Sequence, residues 1–328
     1  MTPFRFAAVS TVSEASEMLR ADAAGSRLIA GGTDLLSEIK EGIVQPQTVV
    51  SLQNVGGMRE IVPGRDGMRL GAMATLTELE GHVEIRRSYA ALAEAASSVA
   101  TPQIRNVGTL GGNLCQRPRC WYYRSAAFDC RKKGGSICFA INGNSKYHAI
   151  LGGGDCVIVH PSDLAVALVS FRARATIAGP GGERSMALEE FFAGPQDDIM
   201  RETVLQPGDV LTHVSLPAPS PNWRSVFMKA RERQAQDFAL VSVAAAIEVA
   251  DGVVRDARIT LGGVAPVPYR VRQAEEALQG AAVASVDPAR LGEMAVAGAR
   301  PMRDNHYKAP LASTLVRRAV TLLLQDGA

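Results

Sequence analysis

Cys120, Cys130, Cys138 and Cys156 fall in one stretch with no apolar periodicity, and Cys115, just ahead of them, is the only other cysteine of the chain. The stretch is rich in Gly, Arg and Lys, so it reads as a loop rather than a helix or strand. Four thiolates on one loop can close around a single metal centre, and thiolates select zinc or iron–sulfur clusters. The gaps between the four are nine, seven and seventeen residues. None is the CxxC of structural zinc sites. Arg119, Arg124, Arg131, Lys132 and Lys133 stand beside the thiols, and positive charge lowers thiol pKa and offsets the charge of a thiolate-bound cluster. The pattern favours iron–sulfur over zinc or unligated thiols. His148 lies in the same loop, but four cysteines already complete a ligand set. Trp121, Tyr122 and Tyr123 follow Cys120 and are placed to shield a centre from water. An odd cysteine count, clustered this way, argues against a disulfide framework.

Two glycine motifs precede the cysteines. Ile29-Ala30-Gly31-Gly32-Thr33-Asp34 carries a strand into a tight turn and out as a helix. Glycine lets backbone approach a ligand, and the turn offers free N–H groups to a phosphate. It is not GxGxxG, so a Rossmann site is not indicated. Thr109-Leu110-Gly111-Gly112-Asn113-Leu114 is the second motif. Two such loops, each followed by polar donors, fit a ligand with a pyrophosphate spine, and a dinucleotide such as FAD has that shape. Cys115 closes the second motif, apart from the four-cysteine set.

Charge says little about partners. With 35 basic and 33 acidic residues the net charge is +2, which points to neither nucleic acid nor an acidic membrane surface. Met1 to Ser10 lacks a basic run followed by an apolar core, and no apolar run approaches the roughly 20 residues that span a bilayer. The expectation is a cytoplasmic chain, or a periplasmic one if a signal-bearing partner carries it out. There is no GxSxG, HExxH or P-loop, so the chain is built to hold redox centres rather than to hydrolyse.

Pattern and punctuation predict helices over about 13–20, 34–40, 90–99, 270–279, 287–299 and 310–324, with further helix starts at Thr75 and near Leu164. They predict strands at 27–30, 48–52, 68–72, 157–160, 173–178, 238–249 and 253–261, the last two joined at Asp251-Gly252. Three prolines in Pro217 to Pro221 mark a linker. The predicted organisation is residues 1–216, a linker at 217–222 and residues 223–328. Strands and helices alternate imperfectly, so the class is α+β rather than a doubly wound parallel sheet.

The order IAGGTDLL, NVGTLGGNL, HPSD and FMKARER, with a late DNHYK, resembles the FAD-binding medium subunits of the molybdenum hydroxylases, the xanthine dehydrogenase and aldehyde oxidoreductase family. The resemblance runs over nearly the whole chain. The cysteine loop, at about 115–157 with NLCQRPRCWYY at its start, resembles the subgroup with a 4Fe-4S insertion, as in periplasmic-type aldehyde oxidoreductase and 4-hydroxybenzoyl-CoA reductase. The resemblance implies a two-subdomain FAD-binding domain of the PCMH type, then a small C-terminal α+β domain with a three-stranded sheet. It implies an FAD site at Leu28, Ile29, Ala30, Gly31, Gly32, Thr33, Asp34 and Leu35, with Thr109, Gly112 and Asn113 as a second loop. Asp163 would meet the flavin or ribityl end, and Lys229 would lie near the isoalloxazine. Cys120, Cys130, Cys138 and Cys156 would ligate the cluster. A large subunit would hold the molybdenum cofactor and a small one two 2Fe-2S clusters. The implied function is oxidoreductase electron transfer within a heterotrimer, from substrate through those clusters to FAD and an external acceptor, with an aldehyde as substrate class. Alternatives are an aryl-CoA reductase or a purine or N-heterocycle dehydrogenase, and, from another class, a stand-alone flavoprotein oxidase. No catalytic residue for substrate is expected in this chain.

Overall fold

The computed structural model describes residues 2–325. Strand β1 (Arg5–Ala8) precedes a helix, Val12–Ala21, whose first turn is capped by the Thr11 hydroxyl accepting from the Glu14 amide at 3.2 Å. β2 (Ser26–Ile29) leads through the first glycine turn into the helix Leu35–Lys40, and β3 (Thr48–Ser51) follows. These three strands form a parallel sheet in the order β1-β3-β2. A five-stranded antiparallel sheet lies beyond it. It is made of β4 (Ile61–Gly64), β5 (Gly67–Gly71), β6 (Arg174–Gly179), β7 (Gly182–Ala187) and β8 (Val210–Pro217), in the order β4-β5-β8-β6-β7. Between β5 and β6 run the helices and the whole cysteine stretch.

After the prolines come β9 (Trp223–Ala230), β10 (Val241–Ala250), β11 (Val253–Gly262) and β12 (Tyr269–Arg270), an antiparallel sheet in the order β12-β11-β10-β9. It has four strands where three were expected, because the two-residue β12 adds an edge at Tyr269 and Arg270. Asp251 and Gly252 turn the β10–β11 hairpin with φ of +53° and +70°, the paired positive values of a type I′ turn. β10 reads VSVAAAIEVA because both of its faces are covered. Val241, Val243, Ala245 and Ile247 pack with the long helix Lys308–Gln325, while Ala244 and Ala246 join the core of the N-terminal half beside Phe227. The helices Ala90–Ser98 and Asp163–Ser170 belong to that same N-terminal core. The α+β expectation therefore holds.

Some expected elements are absent or shorter. Val157–His160 is extended but not a strand. Its bonds go to loops, with Ala149 N donating to Val157 O at 2.8 Å and His160 N to Ala265 O at 3.0 Å. The helix expected over 287–299 stops at Met294, and beyond it the amides of Val296, Ala297 and Ala299 bond to carbonyls three residues back, so the chain continues as turns. β10 begins at Val241 rather than 238. Among the described residues no helix is long and apolar enough to cross a membrane.

The end of the chain folds back onto the cysteine stretch. Asn305, fully buried, donates to the carbonyls of His148 at 3.1 Å and Ala149 at 3.3 Å. Asp304 accepts from the Ser145 amide at 3.0 Å, and the Tyr307 hydroxyl donates to Lys146 O at 2.9 Å. Lys308 is also fully buried, and its ammonium donates to Gly263 O at 2.7 Å. Burial pulls its pKa down to about 7 from the ordinary 10.5. Between those values the unfolded chain binds a proton that the folded chain does not, so this group makes stability rise with pH across that window. Lys308→Met removes the effect. The stability of the wild type relative to this variant should increase by about 2 kcal/mol from about pH 7.5 to about pH 9. Urea unfolding of both at the two pH values checks this, and a difference that does not move with pH refutes it.

Candidate functional site

The two glycine motifs meet in space. A Cβ on Gly31 would lie 2.0 Å from Val107 O, so the first loop touches the backbone leading into the second. Gly32 has φ of +75°, which glycine adopts without strain. Among the described residues, the amides of Gly31, Gly32, Thr33 and Asp34 have no protein acceptor. Successive free N–H groups in a turn form a concave donor set suited to an anion. Leu28, Ile29, Ala30 and Leu35 are half-buried around it, and Thr33 is exposed.

The second loop is built differently. Thr109 caps the short helix Leu110–Leu114, accepting from the Gly112 amide at 3.2 Å. Leu110 N and Gly111 N donate to Ala74 O and Ala72 O at 2.8 and 2.7 Å. Most amides here are thus already paired, and the loop presents polar side chains and a bare Gly112 surface. A Cβ on Gly112 would come within 3.9 Å of Ala30, across from the first loop. The support that the segment Ala72–Leu76 gives the second loop was not anticipated, although the helix start at Thr75 was. Its signal was the Thr75–Glu78 capping box, complete in the structure with the Thr75 amide donating to Glu78 Oε2 at 2.7 Å.

Asn113 accepts from the Ser162 hydroxyl at 2.5 Å, and Ser162 caps the helix Asp163–Ser170. That helix begins with Asp163, which pairs with Lys229 of β9 at 2.6 Å, both side chains buried. Lys229 also donates to Ser98 O at 3.2 Å. The two residues expected at the flavin are thus committed to each other. The side chain of Asp34, expected at the pyrophosphate, accepts from the cysteine stretch: Arg124 Nη2 at 2.6 Å, Arg119 Nη1 at 2.8 Å and the Arg117 amide at 2.7 Å.

Cys120, Cys130, Cys138 and Cys156 all line one cavity. Cys115 does not. It closes the helix Leu110–Leu114, and burial pushes its thiol up to about 12. The cavity has ≈ 300 Å³ of space between atoms when its open side is included. Tyr122 and Tyr123 form part of the wall, whereas Trp121 is half exposed. His148 Nε2 stands 3.2 Å from Cys120 Sγ, and burial lowers the imidazole to about 4, so it is neutral at pH 7. Burial raises the Cys120 and Cys156 thiols to about 11 each. Lys132 pulls the Cys156 thiol down, as the sequence suggested, but burial outweighs it, and the basic residues of the loop have partners of their own. Arg131 meets Asp155 at 2.7 Å, Lys132 meets Glu202, and Lys133 donates to Ser125 O at 2.6 Å. Buried cations need partners of their own, so thiolates here require positive charge inside the cavity. Among the described residues, no three or more His, Cys, Asp or Glu side chains gather tightly enough to hold one ion.

Residues 2–219 match the family described as FAD binding domain in molybdopterin dehydrogenase, and residues 225–323 match the CO dehydrogenase flavoprotein C-terminal domain. The chain is 37% identical to the aldehyde oxidoreductase FAD-binding subunit PaoB of Escherichia coli (strain K12), over 95% of each. It belongs to the FAD-binding medium subunits of the molybdenum hydroxylase family. The nicotinate dehydrogenase FAD-subunit of Eubacterium barkeri is 30% identical to it, over 86% of this chain and 81% of that one. Among solved structures, this medium subunit superposes on a chain of the Hydrogenophaga pseudoflava carbon monoxide dehydrogenase that lacks the Mo-pyranopterin moiety. That match has a TM-score of 0.78 at 25% identity, over 98% and 97% of the two chains.

The residues present fit FAD. The free amides of Gly31 to Asp34 offer an anion cradle, and Gly112 lies beside Ala30 of the first loop. The medium subunit's own residues supply the donors and the shape, and a bound flavin supplies exchange between one- and two-electron transfer.

Proposed function

We propose that this chain is the FAD and 4Fe-4S electron-transfer subunit of a heterotrimeric molybdenum hydroxylase. A molybdenum subunit oxidises the substrate, a small 2Fe-2S subunit relays the electrons, and this chain delivers them through FAD to an external acceptor. The observation that carries the cluster is the convergence of four thiols, and not the fifth, on one cavity. Burial raises the Cys120 and Cys156 thiols to about 11, and a strongly positive centre would ionise them. Cys120, Cys130, Cys138 and Cys156 are the proposed ligands. An aldehyde is the proposed substrate class, supported by the 37% identity to the PaoB subunit. The nicotinate relative supports a second reading, an N-heterocycle dehydrogenase.

The test is anaerobic purification with absorption spectra and assays of iron, sulfide and zinc on one sample. About four irons and four sulfides per chain, with flavin bands, are expected. Cys130→Ser should lose most of the iron and keep the flavin, and Cys115→Ser should keep both. Unchanged iron in Cys130→Ser, or zinc in place of iron, would sink the cluster reading and leave the flavin reading standing.

A further inference from the structure

Asp34 belongs to the first glycine loop by sequence and to the cysteine insertion by contact. It takes three donors from the insertion, the Arg117 amide and the guanidinium groups of Arg119 and Arg124. One turn on, Glu38 accepts from the Tyr123 hydroxyl at 2.6 Å. Residues four apart share a helix face, so both carboxylates of the helix Leu35–Lys40 reach the same way. Tyr123 lines the cysteine cavity and receives a second bond, from Arg117 Nε, at 2.9 Å. The guanidinium carbons of Arg117 and Arg124 stand 5.2 and 5.7 Å from the centre of its ring. Arg117 also pairs with Glu202 at 2.6 Å, and Glu202 with Lys132 of the cavity wall.

We infer that Asp34 and Glu38 are positioning residues that couple the two sites, so that the occupant of the cysteine cavity and the dinucleotide on the glycine loop each strengthen the other's binding. The inference rests on the flavin-plus-cluster reading above. Glu38, Tyr123, Lys132 and Glu202 are buried, and a buried ionic network is stable only in the arrangement that satisfies it. That arrangement needs the segment Arg117–Arg124, which includes Cys120, to be seated. When Cys120 is ligated, the segment is held and Asp34 keeps its three donors. When it is not, the segment is free to relax, and the Asp34 carboxylate loses its three donors. The unpaired amides of Gly31, Gly32 and Thr33 directly precede Asp34, so the same event loosens the anion cradle. Linkage makes the effect reciprocal.

The test is a titration with FAD, followed by flavin fluorescence, of the full chain loaded with iron and sulfide and of the same chain after chelation. FAD should bind about tenfold more tightly to the loaded form, within the usual range of coupling between sites. In Asp34→Asn the two affinities should converge. In Arg124→Gln, whose side chain belongs to the insertion, they should converge as well, which guards against a local folding defect in one variant. Equal affinities in the wild type would overturn the coupling. Weakening of FAD by Asp34→Asn to the same extent with and without iron would also overturn it, since a direct contact with the dinucleotide behaves that way. A wild-type chain that takes up no iron would remove the cluster reading and the coupling together. One that takes up iron but binds FAD indifferently removes the coupling alone.

Discussion

Asp163→Ala should destabilise the chain by about 3–5 kcal/mol, the range for removing one partner of a buried ion pair. The pair is sealed, with side-chain exposures of 6% for Asp163 and 4% for Lys229. Without the carboxylate, the ammonium keeps only the Ser98 carbonyl, 3.2 Å away. Every residue of the helix that Asp163 begins is buried, so water has no ready path to the orphaned charge. Flavin content should fall as well, because the Ser162 cap before that helix also holds Asn113 of the second loop. The double variant Asp163→Leu with Lys229→Met removes both charges and should recover much of the loss. Urea unfolding of Asp163→Leu, Lys229→Met and the double variant measures the coupling. A loss below about 1 kcal/mol in Asp163→Ala would mean that the pair behaves like a solvated one.

Gly31→Ala should carry a smaller penalty, placed directly at the flavin loop. Its Cβ would sit 2.0 Å from Val107 O, 2.8 Å from Val107 C and 3.1 Å from Gly108 Cα. All three are backbone atoms, so no side chain can swing aside, and the two loops must part. Overpacking of this kind costs about 1–3 kcal/mol. A shift of that size at the ligand loop weakens FAD binding by about tenfold or more. Gly81→Ala is the control, since nothing lies within 4 Å of its Cβ. Flavin occupancy and the thermal midpoint of the two variants should separate clearly. Full flavin and an unchanged midpoint in Gly31→Ala would show that the loops are not packed as described.

What could be read from the sequence was local. Thr75 and Glu78 announce a helix start because the capping box lies within four residues. Asp251-Gly252 announces a hairpin because its turn demands positive φ. The four cysteines announce a shared site by their clustering. Two of the strands that escaped notice carry no burial alternation: β7 reads GERSMA with its first four residues exposed, and β1 reads RFAA with only Ala7 out of the exposed class. Val157–His160 misled in the opposite direction, since an apolar run satisfied by loop carbonyls looks like a strand. The charged partners were beyond reach. Asp34 meets residues 83 and 90 positions later, and Asp163 meets one 66 positions later. No periodicity encodes such pairings, so a basic residue beside a cysteine looked like its electrostatic partner when its carboxylate was elsewhere.

The ties from Asp304, Asn305 and Tyr307 onto residues 145–149 have a consequence in time. His148 leaves the ribosome 157 positions before the Asn305 side chain that fixes its carbonyl. Chains fold from their N-terminal parts as they are made, so the thiol-bearing stretch spends most of synthesis without its final clasp. The clasp arrives with the last helix, after every cysteine has been in place for the length of a domain. The order of the chain thus leaves the cysteine stretch at its least constrained, and most open to cofactor delivery, before the last helix is made.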